Sequence, residues 1–134
     1  MLMKKNHKFD SRRGEEITFV NTPLQHAAIG GHREIAELLI AKGADVNFKG
    51  GSVQLTALHY AADKHDKEIV ELLIANGANV NDRGPVRFNV GSTPLDEISP
   101  IEKTKEEKVK IREIVKLLHK HGGKKDAELR AAGN

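Results

Sequence analysis

Residues 22–47, TPLQHAAIGGHREIAELLIAKGADVN, align without a gap to residues 56–81, TALHYAADKHDKEIVELLIANGANVN. Thr22 and Thr56 stand 34 residues apart, and Thr93, in STPLDEIS, follows 37 residues later. A second-half match, REIVKLLHKHGG at residues 112–123, comes after an insertion. Self-similarity at such a period restricts a chain to repeat architectures. A unit this short cannot bury its apolar face alone, so about three must stack to share one elongated core.

Each unit carries the same local signals. Thr22, Thr56 and Thr93 are N-caps, since a threonine hydroxyl accepts a backbone N–H left unpaired at a helix start. Pro23 and Pro94 take the first helical position, where a missing N–H costs nothing, and Gln25 completes a capping box with Thr22. The first helix presents Leu24, Ala27 and Ala28, or Leu58, Ala61 and Ala62, whose small alanines admit close neighbours. A turn at Gly30-Gly31 or Lys64-His65 leads to a second helix, with Ile35, Leu38 and Leu39 or Ile69, Leu72 and Leu73 on its apolar side. Gly43 and Gly77 end these helices. The Gly- and Asn-rich stretches that follow predict extended turns.

These residues resemble the ankyrin-repeat family, whose period is about 33 residues and whose signature is T-P-L-H-x-A. The signature stands here as TPLQHA (22–27), TALHYA (56–61) and TPLDEI (93–98), and the resemblance covers roughly residues 17–123. It implies an all-α repeat solenoid of stacked helix-turn-helix units with extended β-turn or hairpin-like loops. Gln25 and Asp96 replace the family's histidine, so a Thr–His hydrogen bond belongs to the middle unit alone. The expected organisation is a mobile basic tail (1–16), repeats at 17–50, 51–87 and 88–123, and a tail or short helix at 124–134.

The third copy departs most. From Thr93 to Ile114 is 21 residues, against 13 from Thr22 to Ile35, so eight have been inserted. Ser99-Pro100-Ile101-Glu102 and Thr104-Lys105-Glu106-Glu107 both fit a capping box, and the second leaves room for the first helix. The outer helix then runs from about Lys105 to His121, with Glu106 and Lys110 spaced to pair. His119 and Lys120 stand where Ile40 and Ile74, and Ala41 and Ala75, would meet a following unit. The third unit therefore reads as the terminal cap that repeat arrays need.

Catalytic chemistry finds no support in the sequence. His59, Asp63, His65 and Asp66 crowd one helix and its turn, but His59 is the signature residue and the others occupy ordinary polar turn positions. GGKK (122–125) lacks the remaining residues of a phosphate loop, and no HExxH or GxSxG occurs. We expect no enzyme activity, no cofactor and no metal. Without cysteine the chain suits a reducing compartment, and no apolar run reaches membrane-spanning length. The expectation is a cytoplasmic monomer that does not engage membranes.

The resemblance implies a concave face of turn tips and first helices that binds another protein. By position, its contact residues are Phe19, Asn21, Lys49, Val53 and Leu55, then Lys64, Arg83, Val86, Arg87 and Phe88. Apolar and aromatic side chains among cations suit an interface core. The function expected is an adaptor or inhibitor. The alternative is nucleic-acid or acidic-surface binding by the basic ends, which carry five Lys/Arg against three Asp/Glu in residues 1–16 and ten against six in residues 101–134.

Overall fold

A computed structural model of the chain describes residues 7–10, 15–18, 21–50, 53–85, 91–98 and 104–133. The N-terminal part contains β1 (His7–Asp10) and β2 (Glu15–Thr18), an antiparallel pair in which His7 faces Thr18. The sequence puts residues 1–16 in a mobile tail; within that stretch His7–Asp10, Glu15 and Glu16 lie in this ladder.

Six helices follow in pairs: α1 (Pro23–Gly30) with α2 (Arg33–Ala41), α3 (Ala57–Asp63) with α4 (Lys67–Ala75), and α5 (Pro94–Glu97) with α6 (Lys105–Lys120). A short α7 (Asp126–Ala131) comes last. Inner helices pack in the row α1–α3–α5 and outer helices in the row α2–α4–α6, so the described body is two helical layers. The fold is the all-α repeat stack that the sequence implies, with a bridge between Gly50 and Leu55 tightening the first inter-unit loop.

The core runs through the stack. Leu24, Ala27 and Ala28 meet Ala57, Leu58 and Ala61, and Val70, Leu73, Leu95, Ile114 and Leu118 continue it. Ala28, Ala61 and Ala62 have essentially no exposed surface, so the inner row approaches closely because its facing residues are small. Thr22 and Thr104 form the capping boxes expected of them, and Thr56 and Thr93 form boxes too, through His59 and Asp96. Gly43, Gly77 and Gly122 hold the same left-handed conformation just past α2, α4 and α6, with φ of 94°, 90° and 83°.

The third pair differs in proportion. α5 has four residues, and Ile98 leaves it with ψ of 111°. Ser99 precedes Pro100 and so disfavours helix, which explains the early end. α6 has 16 residues against nine in α2 and α4, about 10 Å more at ~1.5 Å per residue. Its start is Thr104; Ser99-Pro100 lies outside the described residues. Among the described residues Glu106 and Lys110 form no ion pair, whereas Lys67 bridges Glu71 and Glu113, tying α4 to α6. Ile40 and Ile74 are half-buried against the core as expected for stacking, but Ala41 and Ala75 are exposed. Those alanines lie past the contact edge of the helix, so Lys120 replaces a solvent position.

Candidate functional site

The side chain three residues after each inner-helix threonine ties one unit to the next. In the first unit, Gln25 Oε1 accepts the Thr22 N–H at 2.7 Å while its Nε2 donates to the Leu55 carbonyl at 2.6 Å. In the second, His59 Nδ1 accepts the Thr56 N–H at 3.1 Å, and Nε2–H donates to the Ser92 carbonyl at 2.6 Å. A backbone N–H only donates and a carbonyl only accepts, so these partners fix the imidazole as the neutral Nε2–H tautomer. Thr56 Oγ1 lies 2.8 Å from Nδ1, the Thr–His bond expected in the middle unit. Burial pushes the His59 imidazole below its ordinary value, partly opposed by the Ser92 carbonyl.

In the third unit the polarity reverses. Asp96 Oδ2 accepts the Thr93 N–H at 3.1 Å and then the Asp126 N–H at 2.8 Å. Units one and two meet a carbonyl in the next loop, whereas Asp96 meets the amide of a helix start, so an acceptor replaces the donor. Asp126 is buried between Arg83 and Arg130, the latter at 2.9 Å. The Arg83 guanidinium holds its carboxyl below the usual carboxylate range, against the opposite pull of burial.

A second tie repeats along the outer edge. Asn47 donates to the Gly77 carbonyl at 3.0 Å and accepts the Asn79 N–H at 2.7 Å. Asn81 does the same to Gly122 at 3.0 Å and Lys124 at 2.8 Å. Separation in sequence grows from 30 to 41 residues, which is the eight inserted residues plus the three extra residues between Thr56 and Thr93, so both additions leave this register intact. Sequence inspection reads these asparagines only as turn residues. Their repetition at the end of each GA(D/N)VN is the signal that marks a common task.

The predicted contact residues separate into two groups. Phe19, Val86, Arg87 and Phe88 lie outside the described residues or their described side chains. Of the others, Lys49 and Val53 share the loop between α2 and α3, where Phe48 and Val53 are 48% and 50% exposed. Lys49 Nζ reaches Asp82 at 3.3 Å, joining this loop to the next. Asn21 accepts the Tyr60 hydroxyl at 3.5 Å. Leu55 and Arg83 have internal tasks: Leu55 packs beside Gly84 and its carbonyl serves Gln25, while Arg83 holds Asp126. Lys64 caps the far end of α3 and lines a hollow with Lys110 and Glu113, away from Lys49 and Val53.

With this stacked geometry in hand, comparison with known families is decisive: the pattern for ankyrin repeats in three copies matches residues 1–84. The chain belongs to the ankyrin-repeat family. No curated protein matches it. Ankyrin repeats are generally protein–protein interaction modules and typically non-enzymatic. The match ends before α5, so the third helix pair lies beyond it.

Within this ankyrin stack His59 and Asp66 of the histidine and aspartate cluster have structural tasks. His59 joins two repeats, Asp66 Oδ1 accepts the Ile69 N–H at 3.2 Å as the α4 cap, and His65 stands at φ 55° where the first repeat has Gly31. His65 Nε2 is buried without a partner among the described residues. Among those residues no three His, Cys, Asp or Glu side chains gather as metal ligands, and no helix is long and apolar enough to cross a membrane.

Proposed function

We propose that this ankyrin-repeat chain is a non-enzymatic adaptor or inhibitor that binds one partner protein through the loop tips preceding its inner helices. The observation that carries this reading is the half-exposed pair Phe48 and Val53, set on one loop beside Lys49. A large apolar side chain in water contributes little to its own fold and gains about 1.5–3 kcal/mol when a partner buries it fully. The Lys49–Asp82 bridge joins two successive loops, so the surface offered is wider than one loop. We assign Asn21, Lys49 and Val53 to the contact, with Phe48 added and with Leu55 and Arg83 as supports behind it. A reducing compartment such as the cytoplasm suits a chain without cysteine.

We read α5 and α6 as the third repeat, with α7 closing the stack. In support, His59 and Asn81 reach this pair as Gln25 and Asn47 reach the second. The test of the binding reading is affinity purification with the double variant Lys49→Glu, Val53→Asp. A protein enriched by the unaltered chain should disappear, with the helical circular dichroism signal and unfolding midpoint retained. Undiminished recovery of every enriched protein would show that the tips are not the contact.

The competing reading is polyanion binding through the basic C-terminal part. It rests on α6, whose exposed Lys105, Arg112, Lys116 and Lys120 make no ion pair with a described residue. It requires affinity for unrelated duplex DNA that falls steeply with added salt.

A further inference from the structure

The three repeats offer an internal comparison at one position. Ile35, Ile69 and Ile114 are equivalent residues of the three outer helices. Ile69 and Ile114 have no exposed surface, whereas Ile35 is 52% exposed. Leu38 is 59% exposed, while its equivalents Leu72 and Leu117 are partly buried against the core. Ile69 and Ile114 share one thing that Ile35 lacks: a helix pair on the preceding side. Among the described residues, the flank of the first repeat is thus a stacking face with no helix pair against it. Leu39 continues it into a shallow apolar groove of 260 Å³ with Leu24, Ala44 and Phe48.

The charges on this flank indicate what fits it. At 3.6 residues per turn, Glu34, Ile35 and Leu38 of α2, with Lys42 as its C-cap, fall within an arc of about 100°. Glu34 and Lys42 are exposed and form no ion pair with a described residue. They lie about 12 Å apart along the helix, with Leu38 midway between them. A two-fold axis at the level of Leu38 sets α2 antiparallel to a second α2. Glu34 of each copy then faces Lys42 of the other, and the Ile35 and Leu38 side chains meet between the two ion pairs. The pattern is self-complementary, as an isologous interface requires.

Continuation of the stack by a second copy joined head to tail is unfavourable. At the other end, α7 lies against the last pair through Asp126, Asp96 and Arg83, and His119 and Lys120 are exposed. No large apolar side chain of α7 is exposed. We propose that the Glu34–Lys42 flank of α2 is the interface of a two-fold symmetric dimer of this chain. The arrangement leaves Lys49 and Val53 free and does not depend on the binding reading above.

Sedimentation velocity on the full chain from low to high micromolar concentration tests it. The unaltered chain should pass from monomer to dimer. Leu38→Glu should remain monomeric, and Lys42→Glu should weaken association at least about tenfold, since it opposes like charges twice. The double swap Glu34→Lys, Lys42→Glu should restore association to within about threefold of the unaltered chain. Glu34, Leu38 and Lys42 are all exposed in the monomer, so circular dichroism should show each variant folded. A monomer at every concentration would overturn the proposal and leave the flank to a different protein or to residues 1–20. Association that ignores Leu38→Glu, or that the double swap fails to restore, would overturn it equally.

Discussion

His59 is the place where one side chain most clearly holds two repeats together, and the first repeat supplies its own control. The imidazole is fully buried, accepts the Thr56 N–H and donates to the Ser92 carbonyl. His59→Ala removes both bonds, strands a buried donor and a carbonyl, and leaves a void. A net hydrogen bond contributes about 1 kcal/mol, an orphaned buried group costs about 1–3 kcal/mol, and cavity formation adds to both, so a loss of about 3–5 kcal/mol is expected. Gln25 performs the same two tasks at the same position, so His59→Gln should cost only about 1 kcal/mol.

The same pair of variants separates packing from protonation. His59 is held below its ordinary value of 6.5 in the fold. Between that depressed value and 6.5 the unfolded chain binds more protons, so this residue's contribution is complete above 6.5 and is lost as pH falls toward the folded value. His59→Gln should remove that part of the acid sensitivity. Urea unfolding followed by far-ultraviolet circular dichroism, at a pH above and a pH below 6.5, measures both quantities. The reasoning fails if His59→Gln destabilises as much as His59→Ala, or if it keeps the unaltered chain's slope with pH.

Three further outcomes follow from the ties between repeats. Asn81→Ala removes the bonds to Gly122 and Lys124 and should cost about 1–2 kcal/mol, with faster amide exchange in α7 as the local readout. Gly77→Ala should cost about 1–2 kcal/mol through its φ of 90° alone, because a methyl group there meets nothing within 4 Å; urea midpoints measure the loss. Asp126 contributes stability that is present above the ordinary carboxyl value of 3.8 and lost as pH falls through its lower folded value. Asp126→Asn should flatten that acid limb, seen as a smaller drop in unfolding midpoint across the carboxylate range.

Local signals determined a large share of this protein. The Thr22, Thr56 and Thr93 spacing, the alanines of the inner helices and the apolar side of each outer helix state the repeat, because capping and helical periodicity act over three or four residues. The capping box at Thr104 likewise marks where α6 begins. Surface assignments were less legible. Leu55 and Arg83 look like tip contacts in sequence, yet one packs on Gly84 and the other holds Asp126, a partner 43 residues away. The reason for Asp96 in place of histidine is also tertiary, since only the stacked fold brings the Asp126 amide to it.

Exposure was decided in the same way. Ile35, Ile69 and Ile114 are one residue type in one pattern, and nothing local distinguishes them. Whether each is covered depends on a neighbouring helix pair, since burial follows from the surface that arrives from elsewhere in the fold. The sequence determined which faces are apolar; the stack alone decided which of those faces the described residues cover.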